Sequence, residues 1–305
     1  MVLAIVIGAG VAVAGVVALL AAKWPRIEAP RVSGEKVAEE VVQHPKLAAR
    51  LRRNFDPKTA TGVALTIATT AVAAATVGIG VLIAVIRSKQ GLWSIDLRLA
   101  RYGAQHASKS STNTMRMISQ VGGTTGAVVI ALIATVVEFV RRPSRYIPMF
   151  TILVVGGQSA LSNGIKYLVA RARPDVSRLT GFAGSSFPSG HSTAAAATLA
   201  AVALLITRDR SRRAKTAAAS IAAGAALVVG MTRVFLGVHW FTDVVAGLLL
   251  GWGWFTLCSI AFGGRLMKFG QPVAVAERVA EVTPLQATPA AANREYNEAV
   301  HSSTT

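Results

Sequence analysis

The sequence is poor in the groups that soluble chemistry relies on. It has one cysteine, Cys258, in 305 residues, which excludes an internal disulfide framework and any metal site built on several cysteines. Charged residues make up 15% of the chain, against roughly 25% in soluble domains, so an ordinary cytosolic globule is a poor fit. No G-x-x-x-x-G-K-[ST] loop is present, and P-loop nucleotide chemistry goes with it. Acidic residues number only 14, against 32 Lys and Arg, for a formal net charge of +18. What the chain has is apolar bulk: 52% hydrophobic residues and a mean hydropathy of +0.50. A nucleic-acid binder is often this basic, but not also this apolar, and no reader motif accompanies the charge.

A membrane-crossing helix needs about 20 largely apolar residues. Seven stretches qualify or come close: Val2–Ala22, Ala60–Ile86, Val121–Val140, Ile147–Asn163, His191–Thr207, Thr216–Met231 and Asp243–Phe262. The fourth and sixth are short, so six to seven spans are expected. The stretches are long, rich in Ala, Val and Leu, and do not alternate. Helices rather than a closed barrel follow, since those are the two ways to satisfy a backbone in lipid. The expected fold class is therefore all-α, a polytopic membrane helical bundle. The first stretch has no basic leader segment and no clear cleavage signal after it, and reads as a retained anchor over 1–22.

Basic residues set an orientation. Nine fall in 23–59, a basic linker. Arg141, Arg142 and Arg145 fill one short loop, and Arg208, Arg210, Arg212, Arg213 and Lys215 another; Arg265 and Lys268 follow the last span. With seven spans these stretches share one side, read as cytoplasmic. The opposite loop, 87–120, also carries cations. Within it Leu92, Ile95, Leu99 and Tyr102 recur at helical spacing, with Asp96 and Arg98 elsewhere. Two readings fit: an amphipathic helix in the bilayer interface, or a packed loop helix. Gly247 and Gly251 form a small-xxx-small pair, suited to close helix packing or merely tolerated. The stretch 263–305 reads as a largely disordered cytoplasmic tail.

Polar groups at membrane depth are expensive and mark function. Three clusters stand out, all on the expected outer side. The first is Lys166-Tyr-Leu-Val-Ala-Arg171-Ala-Arg173-Pro174. A helix continued past Asn163 places Lys166 and Arg173 on one face about two turns apart, and Pro174 ends it. Snorkelling of membrane-flanking cations is the competing reading. The second is Phe187-Pro188-Ser189-Gly190-His191 before an Ala-rich helix, whose N-terminal N–H groups suit an anion; a plain turn is the alternative. The third is Thr232-Arg233-x5-His239-Trp240-Phe241-Thr242-Asp243. On a helix, His239 and Asp243 are neighbours, and a carboxylate on one imidazole nitrogen leaves the other as a base or nucleophile. A structural His–Asp pair is the alternative. Trp240 and Phe241 read as packing or anchoring groups, and His44, His106 and His301 as surface or structural.

Taken together, cations and N–H donors ask for a phosphate-like anion. Two histidines supply one nucleophile and one proton donor, the inventory for covalent phosphoryl transfer. No carboxylate cluster suited to Mg²⁺ accompanies them, and two histidines fall short of a zinc site.

The order Lys166-x6-Arg173-Pro174, Pro188-Ser189-Gly190-His191, Thr232-Arg233-x5-His239-x3-Asp243 resembles the three-part signature of the type 2 phosphatidic acid phosphatases. That superfamily also holds bacterial acid phosphatases and vanadium haloperoxidases. The resemblance implies a six-helix phosphatase core over 60–262, preceded by one extra helix. It implies that His239 attacks phosphorus, Asp243 orients His239, and His191 protonates the leaving oxygen. It implies that Lys166, Arg173 and Arg233 hold the phosphate oxygens with Ser189 and the Gly190 N–H, and that no metal or cofactor is required. The signature's third part usually begins with Ser; here it is Thr232. Arg171 matches no fixed position and stands only as an extra contact.

The resemblance further implies a plasma-membrane enzyme with its site on the extracytoplasmic face. The substrate would be a lipid phosphate or diphosphate: phosphatidate, phosphatidylglycerol phosphate or a polyprenyl (for example undecaprenyl) diphosphate. Membrane lipids are the other expected partners, with no nucleic acid and no obligate protein partner. A vanadium-dependent halide oxidation is a weaker fit, because those enzymes are soluble. A transport or lipid-binding protein using the same anion pocket without turnover is the alternative from another class.

Overall fold

The computed structural model describes residues 1–23, 77–84 and 92–266. The basic stretch 24–59, the first part of the second apolar stretch, His44, His301 and the chain beyond 266 lie outside the described residues.

Among the described residues every regular element is helical. The helices are α1 (Val2–Lys23), α2 (Leu92–Gln105), α3 (Lys109–Gln120), α4 (Thr124–Arg141), α5 (Tyr146–Val169), α6 (Gly190–Thr207), α7 (Arg212–Phe235) and α8 (Phe241–Leu266), with a further helical stretch over 77–84. Five of them, α1, α4, α6, α7 and α8, are long and apolar enough to cross a membrane. α5 has 24 residues, among them the buried polar groups Gln158 and Ser162. The described residues form an all-α, multi-pass membrane bundle.

Helix α4 shows why these sequences bundle as they do. Its buried positions are Ala127, Ala131, Ala134 and Glu138, spaced three and four apart on one face. Its large residues Val129, Leu132, Ile133, Val136 and Val140 are exposed. Small residues inward and bulky ones outward is the pattern of a helix whose solvent is lipid: association rests on close packing rather than on burying the largest side chains. Glu138 closes the far end of this face by pairing with Arg141 at 3.2 Å.

Helix α6 is the centre of the bundle, with α4, α5, α7 and α8 all packed on it. Its run Ala194–Ala197 is buried and admits close neighbours. Gly247 and Gly251 of α8 lie against it: a Cβ on Gly247 would come 2.6 Å from the Ser189 carbonyl oxygen, and one on Gly251 2.5 Å from that of Thr193. The packing reading of this pair holds. Gly251→Leu is expected to destabilise the protein by about 1–3 kcal/mol through overpacking, whereas Gly156→Leu, with nothing within 4 Å of its Cβ position, should be neutral. Thermal unfolding of both variants in detergent checks this.

The N-terminal helix is more than a tether. Val2 and Val6 belong to the main core cluster with Met115, Val234 and Phe235. A Cβ on Gly10 would come 2.9 Å from the Gly224 carbonyl of α7, so α1 and α7 cross at paired glycines. Helix α3 was not foreseen; Ser108 and Ser111 form a capping box at its start.

Helix direction sorts the charges. α5 and α7 end, and α6 and α8 begin, at the end holding Lys166, Arg233, His191 and Asp243. The basic loops 141–146 and 208–215 lie at the opposite end, where Arg142 pairs with Asp209 at 2.6 Å.

Two local expectations are corrected. Helix α5 does not run to Pro174; it stops at Val169, with Ala170 in the left-handed region at φ 46° and its N–H bonded to the Lys166 carbonyl. Lys166 and Arg173 therefore share no helical face. In α2 the buried positions include Asp96 and Ala100, while Leu99 and Tyr102 pack at the margin of the core and Ile95 is exposed. The acidic residue set apart from the apolar stripe is thus on the inward face, and α2 is packed against the bundle.

Candidate active site

The site is built from four helix ends and the irregular segment 170–189 between α5 and α6. A loop that long inside a compact bundle needs anchors, and polar side chains supply them. Lys166 Nζ donates to the carbonyl oxygens of Ser185 (3.0 Å) and Pro188 (2.8 Å). Arg173 donates through Nε to Gly184 O (3.0 Å) and through Nη2 to Ala183 O (2.7 Å) and Ser185 O (3.2 Å). Lys166 and Arg173 thus meet at one carbonyl, reached from a helix and a loop rather than along a common face.

His239 lies outside any helix, just before α8. Gly237, at φ +73°, turns the chain after α7. The Arg233 carbonyl then accepts the N–H groups of Val238 (3.2 Å) and His239 (3.3 Å). The imidazole is 3% exposed. Its Nδ1 faces Asp243 Oδ2 at 3.5 Å, and its Nε2 lies 3.3 Å from Arg173 Nη1, which also donates to Val238 O at 2.6 Å. The two residues four apart do face each other, at a distance longer than a hydrogen bond, and a turn and the first turn of α8 bring them together. Burial holds the imidazole well below its ordinary value, at about 4, against the opposing pull of Asp243.

Asp243 is completely buried. Its Oδ2 accepts from the Ser186 hydroxyl and from the Trp240 N–H, the latter at 2.9 Å. Its Oδ1 accepts from Arg171 Nη1 at 2.5 Å. Position in the first turn of α8 suits the negative charge. The Trp240 ring packs against Trp93 with centroids 5.0 Å apart, and its N–H donates to Ala172 O at 2.9 Å. Trp240 is a packing group, as its position suggested.

The Pro188-Ser189-Gly190-His191 turn leads directly into α6. Ser189 is its N-cap: Ser189 Oγ accepts from the Ser192 N–H (3.4 Å) and hydroxyl (2.9 Å), and the Ser189 N–H bonds the Asp243 carbonyl at 3.0 Å. Gly190 sits beside Lys166 and Ser162: a Cβ there would come 3.7 Å from Lys166 Cε and 3.8 Å from Ser162 Oγ. His191 begins α6, its Nε2 facing the turn between α3 and α4, 3.7 Å from where a Cβ on Gly123 would stand. On α7, Arg233 Nη1 donates to Ser119 Oγ of α3 at 2.7 Å. Thr232 points along its own helix, its hydroxyl donating to Val229 O at 2.6 Å.

All eight residues singled out in the sequence therefore come to one end of the bundle. Of the eight buried side-chain polar atoms without a hydrogen-bond partner among the described residues, four belong to this end: Ser162 Oγ, Ser185 Oγ, Arg233 Nε and His239 Nδ1. Unpaired buried donors are costly, and an anion bearing acceptor oxygens is the kind of group that satisfies them.

Comparison with known proteins bears on this arrangement. Residues 147–266 match the PAP2 superfamily, a span holding all three motif clusters. This stretch is a PAP2 superfamily domain. The match is shorter than 60–262 and leaves out α2. A lipid A 1-phosphatase of Rhizobium etli is 40% identical over 144 residues, which is 41% of this chain and 56% of that protein. Phosphatidylglycerophosphatase B of Bacillus subtilis is 34% identical over 125 residues, 40% of this chain and 61% of that one. The chain thus spans little more than half the length of these curated relatives. The crystal structure of a transmembrane PAP2-type phosphatidylglycerolphosphate phosphatase from Bacillus subtilis superposes with a TM-score of 0.59 at 25% identity, over 65% of this chain and 98% of that one.

The site residues that sequence reasoning missed are Ser186, Asp96 and Ser119. Ser186 sits two residues before the recognised turn and Ser119 in a helix that was not foreseen. Asp96 lies outside the PAP2 match.

Proposed function

We propose that the chain is a membrane phosphatase that hydrolyses a lipid phosphate or diphosphate through a phosphohistidine, without a metal, at a site on the extracytoplasmic face of the plasma membrane. One observation carries the reading. The His239 ring is held with Nδ1 toward a buried carboxylate and Nε2 toward the Arg173 guanidinium, so its free nitrogen faces the place a bound phosphate would occupy. Lys166, Arg173 and Arg233, with the Gly190 N–H and Ser189, bind the phosphate oxygens and offset charge that develops on them. His239 Nε2 attacks the terminal phosphorus, and its bond to the leaving oxygen breaks, the lipid alcohol's oxygen in a monoester or the bridging oxygen of the inner phosphate in a diphosphate. His191 gives that oxygen its proton. Water then attacks the phosphohistidine, His191 takes the water's proton, and the P–N bond breaks to release phosphate. The extracytoplasmic placement is supported by the basic loops at the opposite end of the bundle.

The test uses the full chain purified in detergent, with EDTA present, and phosphate release measured from phosphatidate, phosphatidylglycerol phosphate, lipid A and polyprenyl diphosphate. Release from at least one, inhibited by orthovanadate as a phosphate mimic, is expected. Substrate retained but never cleaved would replace the enzyme with a binding protein, and loss of release on adding EDTA would overturn the metal-free chemistry.

The buried imidazole predicts the acid limb. His239 must be neutral to attack, and its free-enzyme value is pushed down to about 4 from an ordinary value of about 6.5. Falling pH therefore inactivates it only as pH approaches about 4. After correction for the substrate's own phosphate ionisation at about pH 6, protonation of His239 should contribute no loss of kcat/KM between about pH 7 and 5.

A further inference from the structure

Asp243 is held by more than the groups beside His239. Arg171 bridges two carboxylates, with Nη1 on Asp243 Oδ1 at 2.5 Å and Nη2 on Asp96 Oδ2 at 2.9 Å. All three side chains are buried, the carboxylates essentially completely. Asp96, from α2, is fixed in turn by α8: Thr242 donates to it through its N–H (2.9 Å, to Oδ1) and its hydroxyl (2.6 Å, to Oδ2). Arg171 Nη1 also reaches the Thr242 hydroxyl oxygen at 2.8 Å, and its guanidinium lies 5.3 Å from the centre of the Trp240 ring. A planar guanidinium with two faces engaged by two carboxylates has one orientation open to it. An ammonium in its place could not fix both.

We propose that Asp96 and Arg171 are positioning residues that set the rotation of the Asp243 carboxylate, so that Oδ2 is presented to His239 Nδ1 and the imidazole is held in its nucleophilic tautomer. Without Arg171, Oδ1 loses its partner and only the Oδ2 bonds from Ser186 and Trp240 set the carboxylate's rotation. With Asp96 in place but Arg171 gone, two buried carboxylates also lie uncompensated near one another. Helix α2, outside the PAP2 match, thereby becomes part of the catalytic support. The proposal rests on the phosphohistidine reading.

The experiment compares the wild type with Arg171→Gln, Arg171→Lys and the double variant Asp96→Asn/Arg171→Gln, each as the full chain in detergent. The double variant removes both charges of the outer pair, and its thermal unfolding should stay close to that of the wild type even if Arg171→Gln unfolds. In the double variant kcat should fall about 10²-fold, the effect of small misplacement of a reacting group, with KM within about twofold, since neither residue is among the phosphate-binding groups. Arg171→Lys should recover only part of kcat. Spectra of ¹⁵N-histidine-labelled protein, with the His239 signal assigned by its loss in His239→Gln, should show one neutral tautomer with the proton on Nδ1 in the wild type and a mixture in the double variant. Lys166 and Arg173 face the same ring and are unchanged in both. Unchanged kcat or an unchanged tautomer in a folded double variant overturns the positioning role. If the phosphatase reading itself fails, wild-type turnover is missing, while the tautomer comparison still decides whether Arg171 and Asp96 orient the pair.

Discussion

His239→Ala should abolish lipid phosphate hydrolysis, by at least about 10⁴-fold in kcat, the scale on which removal of a covalent nucleophile registers. The fold should survive it. What the alanine keeps is the N–H bond to the Arg233 carbonyl that shapes the turn. What it gives up is the 3.3 Å contact to Arg173 and the 3.5 Å approach to Asp243 Oδ2; the guanidinium retains carbonyl partners at Val238, Ala183, Gly184 and Ser185, and the carboxylate retains Arg171, Ser186 and the Trp240 N–H. A melting temperature near wild type with no phosphate release is therefore the expected pair of results. Asp243→Asn is the poorer probe: that carboxylate also holds Arg171, Ser186 and the Trp240 N–H, so loss of activity there mixes chemistry with folding. A short incubation with a phosphate-labelled substrate, quenched in alkali where phosphohistidine persists, should label the wild type and leave His239→Ala blank. Turnover or labelling in a folded His239→Ala protein would remove the nucleophile assignment.

The spans were legible because lipid demands long apolar helices, and five of the expected stretches return as helices of that kind. The motif residues were legible because their spacing brings cations, a turn and a histidine–carboxylate pair to helix ends. What spacing could not give was the local path. Pro174 marks a boundary that no helix should cross, yet α5 ends four residues before Arg173, at an alanine in a left-handed conformation that its residue type does not announce. His239 and Asp243 are four apart on a helix or across a turn into one, and the sequence is the same in both cases.

Asp96 shows a different limit. An aspartate on a short helix rich in Leu and Arg reads as a solvated residue, since carboxylates are seldom buried unless paired. Its partner Arg171 is 75 positions away, beyond the reach of any helical or strand periodicity. Arg171 itself lies in a run of cations where the motif draws attention to its neighbours, Lys166 and Arg173. The pair becomes visible only when α2 is folded onto the bundle, its Gly103 backing closely on Phe235 of α7.

His191 should separate substrates by their leaving groups. For a lipid phosphate monoester, the departing oxygen is a poor anion and needs a proton as the bond breaks, so His191→Asn should lower kcat on a monoester such as phosphatidate by about 10²–10⁴-fold. An activated aryl phosphate leaves as a stable anion and needs no such help in the first step. The second step still needs His191, because water must lose a proton as it attacks the phosphohistidine. His191→Asn should therefore release a rapid burst of the aryl alcohol, close to one equivalent per enzyme, and then turn over slowly while phosphorylated His239 accumulates. The substitution leaves the start of α6 in place, since Ser189 rather than His191 caps it. Equal losses on both substrates with no burst would show that His191 serves binding or structure instead of proton transfer. A burst in His191→Asn with none in His239→Ala would assign the two histidines their separate steps.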